Sequence, residues 1–298
     1  MEESKHIIAV DWGTSNFRAF LFTKQLELTG QIQSDRGIRS LDPSAQAQYL
    51  QKQLEVWLRE FPDTPVYACG MLGSNLGYLP APYLKLPLDI EQMYQHIQNH
   101  SKLGVSVIPG LSYESPSIDF DVIRGEETLV LGCIEQFSQD WICLPGTHSK
   151  WVKVDKNKRI TSFSTIMTGE VFDIVHQHSI LCEGPQEECI ESFREGVQDA
   201  NDDQHLLHAM FKARTRSLKD PTKKSKARSY LSGLIIGREL YHSTQKGEMI
   251  TLCCSENLAK SYAEALTIVG CQSQWMDSTQ ALLKGILMLH KQIQGSKI

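Results

Sequence analysis

Two short turns in this sequence carry the residue types that grip a polyphosphate. Gly13-Thr14-Ser15-Asn16 and Gly146-Thr147-His148-Ser149 each set a glycine beside hydroxyl-bearing residues. Glycine lets the backbone turn until several N–H groups converge, and hydroxyls add donors with little bulk. Either turn alone has a plain conformational explanation, because hairpins favour Gly and Ser. The pair, placed alike in two halves of the chain, points to one polyphosphate gripped from both sides. No G-x-x-x-x-G-K-[ST] occurs, so a P-loop is excluded as the phosphate site.

The acidic residues come next. Asp11 ends the apolar run Ile7 to Val10. A carboxylate there is costly unless it has a task, such as holding a hydrated metal ion or accepting hydrogen bonds from its own turn. Arg18, on the following strand, is placed to meet a phosphate or Asp11 itself. Arg124-Gly125-Glu126-Glu127 opens an apolar-patterned helix carrying Leu129, Val130 and Leu131. A carboxylate at such a helix start can accept a hydroxyl proton during phosphoryl transfer. Ordinary dipole placement explains either Glu taken singly. Gly70-Met71-Leu72-Gly73-Ser74-Asn75 follows a strand, where ligands gather, although a flexible turn would look the same. Met167-Thr168-Gly169-Glu170 reads as a helix cap with Glu in the first turn. The pairs His176/His178 and His205/His208 lack carboxylate or Cys company and read as solvated or core histidines.

The elements that must position these residues repeat. Ile7 to Val10, Phe17 to Phe22 and Leu26 to Gln33 read as a three-strand meander. Asp42-Pro43 then starts a helix with Leu50, Leu54, Trp57, Leu58 and Phe61 on one face. Val66 to Cys69 and Val105 to Ile108 follow as strands, with a helix between them. The order restarts with Ile142 to Leu144, Lys150 to Val154 and Ile160 to Ser164. Helices marked by Ile190, Phe193 and Val197, by Leu206 to Phe211, and by Leu231 to Ile235 come after. Met249 to Cys253 is a strand, and Ser255 caps the helix of Leu258, Tyr262 and Leu266. A last helix carries Leu282 to Leu287. Pro221 to Arg228 (PTKKSKAR) reads as a solvated basic loop.

Composition narrows the function classes. The 298 residues are 41% hydrophobic and 22% charged, with a formal net charge of −5. A chain of that length buries a core without disulfides, and no overall basic field draws nucleic acid. The eight cysteines form no C-x-x-C pair, which argues against a zinc ribbon or thioredoxin-like centre. The acidic start MEESK is no signal peptide, and no apolar stretch reaches membrane-spanning length. A cytoplasmic protein without membrane partners is expected.

These stretches together resemble the 2-dehydro-3-deoxygalactonate kinases of the actin/hexokinase/Hsp70-type ATPase superfamily. The matching segments are AVDWGTSNFRAF, GMLGSN, APYLKLP, IPGL, DVIRGEET, LPGTHSKWV, IMTGEVFDIVHQHSIL, YLSGLIIGREL and GCQSQW, collinear along most of the chain. The resemblance implies an α/β fold of two RNase H-like domains with an interdomain cleft. Residues 1–125 would hold the sugar acid and the first phosphate loop, and 126–298 the nucleotide. It implies ATP and Mg²⁺ as cofactors and transfer of the γ-phosphoryl group to the 6-hydroxyl of 2-dehydro-3-deoxy-D-galactonate.

Carried onto this sequence, the phosphate and ATP positions are Gly13, Thr14, Ser15, Gly146, Thr147 and His148, with Ser255 near adenosine. Gly73, Ser74, Asn75 and Arg124 are the substrate-binding candidates. Asp11 would hold the metal through water. Leu144 and Pro145 stand where relatives often place an Asp, so a base must come from elsewhere. The likeness of IRGEET to the Gly-x-Glu-Glu segment of exopolyphosphatases makes Glu126 or Glu127 the preferred base and Asp11 the rival. Two other readings compete: an exopolyphosphatase-like phosphohydrolase, and a non-catalytic nucleotide-binding regulator. Oligomeric state is open, a homodimer included.

Overall fold

The computed structural model describes residues 5–117, 119–137, 140–201 and 205–295. The chain forms two compact units, Met1–Asp140 with Val152–Phe163 and Ser278–Ile298, and Trp141–Trp151 with Ser164–Asp277. A cut at 125/126 differs from this division because the helix that begins at Glu126 packs inside the first unit.

In the first unit β1 (His6–Trp12), β2 (Phe17–Thr23) and β3 (Leu28–Ser34) form the expected meander. Helix α1 (Pro43–Glu60) precedes β4 (Val66–Gly70). Pro43 takes the first helical position, but the Asp42 side chain makes no capping bond. Next come β5 (Tyr83–Lys85), α2 (Ile90–Gln95), β6 (Gln98–His100) and β7 (Val105–Val107). Strands β8 (Gly110–Tyr113) and β9 (Asp121–Ile123) lead into α3 (Glu126–Gln136).

The main sheet runs β3-β2-β1-β4-β7-β6, with β5-β8-β9 a small separate sheet. Strand β1 is central, antiparallel to β2 and parallel to β4. That position explains its unbroken apolar run, since Ile7, Ile8, Ala9 and Val10 are fully buried. The core gathers Ile8, Val10, Trp12, Phe17, Leu50, Leu54 and Val66.

The second half contains β10 (Trp141–Leu144), β11 (Ser149–Val154), β12 (Ile160–Ile166), α4 (Thr168–His178), α5 (Ile190–Asp199) and α6 (Leu206–Lys219). It continues with α7 (Ala227–Ser243), β13 (Met249–Cys253), α8 (Glu256–Val269) and β14 (Gln272–Met276). The order β12-β11-β10-β13-β14 repeats β3-β2-β1-β4-β7 of the first sheet. The parallel pairs β10/β13 and β13/β14 match β1/β4 and β4/β7. The duplication read from sequence is thus present as topology.

Two readings change. PTKKSK is a 3-10 turn over Pro221–Lys226 that runs into α7, started by Pro221 and by the Asp220 carboxylate accepting from the Thr222 N–H at 3.0 Å. None of its six residues is buried, so its solvation stands while the loop does not. The last helix, α9 (Ser278–Gly295), joins the first unit and lies against α3. A Cβ on Gly132 would stand 2.0 Å from the Ala281 carbonyl oxygen, and one on Gly285 2.0 Å from that of Thr128. The two helices therefore meet backbone to backbone, and this contact fixes α3.

Candidate active site

In the first unit three chain segments converge on Asp11. The residue faces Arg18 across β1 and β2 and Cys69 across β1 and β4. Its carboxylate is ion-paired with Arg18, and only 15% of its side chain is exposed. Strand β4 ends at Gly70, whose φ of +82° suits glycine. A Cβ there would fall 2.7 Å from the Trp12 carbonyl oxygen and 3.3 Å from Asp11 Oδ1. Gly125, with φ +109°, brings the start of α3 against the same point, its would-be Cβ 3.3 Å from Gly70 Cα.

Glu126 and Glu127 follow at once but differ. Glu127 has no exposed surface. Its Oε2 accepts from the Gly125 N–H at 2.6 Å, and its Oε1 from the Thr128 hydroxyl at 3.2 Å. Burial, and next the neighbouring Glu126 charge, push its carboxyl up to about 8. Glu126 is half-buried, and its Oε2 accepts from the Arg124 N–H at 3.0 Å. The buried Cys69 thiol, opposite Asp11 across the sheet, is pushed up by burial first and then by the Asp11 and Glu127 charges.

Of the substrate candidates, Gly73 and Arg124 meet. Arg124 Nη1 stands 2.7 Å from where a Gly73 Cβ would be. Arg124 Nη2 donates to the Ala81 carbonyl at 2.8 Å, and the guanidinium lies over the Tyr83 ring, 4.1 Å from its centroid. Ser74 spends its hydroxyl on the Met71 carbonyl at 2.7 Å, and Asn75 is exposed. The Gly13-Thr14-Ser15 turn is braced from behind. The carbonyls of Gly13 and Ser15 accept from the N–H groups of Ile38 and Gly37 at 3.0 and 3.1 Å. What remains for an anion is the amide and hydroxyl edge of Thr14 and Ser15.

The second unit carries the other turn and a cavity. Gly169 packs on Gly146 so closely that a Cβ would stand 2.5 Å from the Gly146 carbonyl oxygen, and the Glu170 N–H donates to the Thr147 carbonyl at 2.9 Å. His148 Nε2 is 2.5 Å from Glu170 Oε2. Beside these turns opens a cavity of about 1120 Å³, whose lining includes Gly146, Thr168, Gly169, Asn257, Ser261 and Tyr262. That volume is a little above the usual range for small-ligand sites. Ser255 sits at the N-cap of α8 with no capping bond from its side chain, while the lining begins two residues later at Asn257. Among the described residues no cluster of three or more His, Cys, Asp or Glu is grouped to hold a metal.

Sequence reasoning missed the roles of Glu170, Thr168 and Glu239. MTGE signalled only a cap, yet Thr168 gives its hydroxyl to Glu239 instead. Glu239 carried its own signal, a lone carboxylate in the apolar run YLSGLIIGREL, which buried positions rarely hold without partners.

Two sheets of one topology, each with a Gly-Thr turn leaving its central strand, define an actin-like ATPase fold. The activator of 2-hydroxyisocaproyl-CoA dehydratase from Clostridium difficile, solved with bound ADPNP, shares it at a TM-score of 0.51 over 98% of this chain and 97% of that one, at 11% identity. Within that class the chain belongs to the 2-keto-3-deoxy-galactonokinase family, whose model matches residues 11–289. It is 32% identical over 286 residues to the Escherichia coli (strain K12) 2-dehydro-3-deoxygalactonokinase, covering 94% of this chain and 95% of that protein. A Sinorhizobium meliloti protein, provisionally described as a 2-dehydro-3-deoxygalactonokinase, has a crystal structure that matches at a TM-score of 0.86 and 27% identity, over 96% and 99% of the two chains. Membership makes this chain a sugar-acid kinase, a phosphotransferase with an alcohol group as acceptor. Among the described residues no helix is long and apolar enough to cross a membrane.

Proposed function

We propose that this kinase transfers the γ-phosphoryl group of ATP to the 6-hydroxyl of 2-dehydro-3-deoxy-D-galactonate. The observation that carries the reading is the junction of Gly70 and Gly125, which sets a carboxylate-bearing helix start against the Asp11 strand end. Phosphoryl transfer asks for such positioning more than for covalent chemistry. The family's sugar acid, met by Arg124 and the 70–75 turn, would present its hydroxyl there.

The catalytic roles follow from access. A base must come within hydrogen-bond reach of the hydroxyl it deprotonates. Glu127 is enclosed and both its oxygens are engaged within its own turn, so it holds the Gly125 bend. Glu126 keeps exposed surface at the same helix start and takes the proton. The amide and hydroxyl edge of Thr14 and Ser15, beside a Gly13 whose N–H is held by the Asn16 carbonyl, and the turn from Gly146 to His148 bind phosphate oxygens. The cavity beside Gly146 takes the nucleoside.

Mg²⁺ fits the residues present. Gly70 leaves open the space beside Asp11 Oδ1 that a side chain would fill, and a lone carboxylate suits an ion that keeps waters and binds substrate phosphates. When bound it would neutralise charge on the transferring phosphates. Asp11, oriented by Arg18, would hold it through water. No disulfide joins any of the eight cysteines, which supports a reducing, cytoplasmic setting.

A coupled assay with ATP and a panel of epimeric 2-dehydro-3-deoxy sugar acids tests the proposal. ATP consumption should depend on the galactonate-derived acid. A preference for the gluconate-derived epimer would overturn the substrate. Phosphate release without any sugar acid would favour a hydrolase.

A further inference from the structure

We infer that Glu239 is a positioning residue for nucleotide binding, a buried carboxylate that ties together three segments around the cavity of the second unit. The inference rests on the nucleotide reading of that cavity. Glu239 lies on α7 and is 4% exposed. Its Oε1 accepts from Trp151 Nε1 at 2.8 Å, its Oε2 from the Tyr262 hydroxyl at 2.8 Å, and the Thr168 hydroxyl donates to the same Oε2. The Ser149 and Tyr262 hydroxyls are 3.1 Å apart. Because Tyr262 gives its proton to Glu239, Ser149 is the donor in that pair.

Beside a long contact from Cys143 Sγ on β10 at 4.0 Å, the N–H and O–H donors come from β11, α4 and α8, and each has a place in the cavity's construction. Thr168 and Tyr262 line it directly. Trp151 and Ser149 belong to the strand that leaves the Gly146 turn. Thr168 immediately precedes Gly169, which packs on Gly146. One carboxylate thus sets the spacing between the phosphate turn, the α4 start and the α8 wall. The Thr168 proton is committed inward, so toward a ligand this hydroxyl offers lone pairs only.

Stability alone does not account for such a group. Desolvation works against the charged form and pushes the Glu239 carboxyl up, while the bonds from Thr168, Trp151 and Tyr262 pull it down. A buried carboxylate carries a desolvation cost that an apolar side chain would not. What an apolar side chain cannot do is order three separate donors around two oxygens.

The test measures MgATP binding by calorimetry, with steady-state kinetics, in the wild type, Glu239→Gln and Tyr262→Phe. The amide of Gln accepts through one oxygen only and cannot serve Trp151, Thr168 and Tyr262 together. The expected result is at least a tenfold rise in the MgATP Kd and in KM for ATP with Glu239→Gln, and a smaller rise with Tyr262→Phe. KM for the sugar acid, and kcat at saturating ATP, should stay within twofold. A folded Glu239→Gln that loses thermal stability but binds MgATP as wild type does would overturn the inference. Should Glu239→Gln not fold, Tyr262→Phe and Thr168→Val decide it, unchanged MgATP affinity in both being the overturning result. If MgATP fails to bind the wild type, the nucleotide reading of the cavity falls instead.

Discussion

Gly70 and Gly125 meet backbone to backbone, a Cβ on Gly125 reaching within 3.3 Å of Gly70 Cα, and both hold positive φ. The contact brings the end of a central strand and the start of α3 together beside Asp11. A side chain at Gly125 would meet both a crowded neighbour and a left-handed backbone. Gly125→Ala should therefore destabilise the fold by about 1–3 kcal/mol. It should also cut turnover more than the stability loss explains, because Glu126 and Glu127 would shift. Denaturant unfolding set beside kcat at a temperature where both proteins are folded checks this.

The two glutamates should separate on substitution. Glu126→Gln removes the accessible proton acceptor and should lower kcat by about 10²–10⁴-fold with little change in either KM. Glu127→Gln should retain far more activity. Single-turnover kinetics with saturating ATP and sugar acid would reveal the difference, and equal rates for wild type and Glu126→Gln would refute the base assignment.

Glu127 should also govern stability against pH. Its carboxyl, about 8 when folded against an ordinary value of 4.5, keeps its proton longer in the folded state than in the unfolded chain. The folded state then binds more protons, so stability is fully present below about 4.5 and is lost as pH rises through about 8. Thermal unfolding from pH 5 to 8.5 should show this decline, and Glu127→Gln should flatten it.

Asp11→Asn keeps the shape of the strand end but removes the charge that pairs with Arg18. Turnover should fall by at least about 10²-fold, the scale of losing one preorganised electrostatic group, while sugar-acid affinity stays near wild type. Equilibrium binding of the sugar acid beside kcat measures both. Unchanged turnover would remove Asp11 from the site.

The His148–Glu170 pair joins the Gly146-Thr147-His148 turn to the first turn of α4. Glu170→Gln should weaken MgATP binding by about tenfold, near 1.4 kcal/mol, by freeing His148 from its carboxylate. Titration with MgATP would show it, and wild-type affinity would confine the pair to the surface.

Much of the site was legible because its residues are local in sequence. A Gly-Thr turn, an Asp ending an apolar run and a Glu pair opening a helix are each readable within a few residues. The meander and the duplicated order were legible for the same reason, as hairpins and apolar runs are short-range patterns. The small sheet β5-β8-β9 was not, since strands of three and four residues show no alternation. PTKKSK misled because its charges signal solvation, whereas the turn is set by Pro221 and by the Asp220 bond to Thr222.

By itself the sequence determined the two like halves, the paired Gly-Thr turns and the carboxylates that neighbour the first of them. Only the tertiary structure decided which carboxylate is reachable and which is enclosed. Glu126 and Glu127 are neighbours of one type, and their difference arises from helix phase and from what packs over each. The C-terminal helix joined the first unit through Gly132 and Gly285, contacts between residues far apart in the chain. The partners of Glu239 came from three separate elements. Local propensity fixes neither set, because each depends on where distant backbones meet.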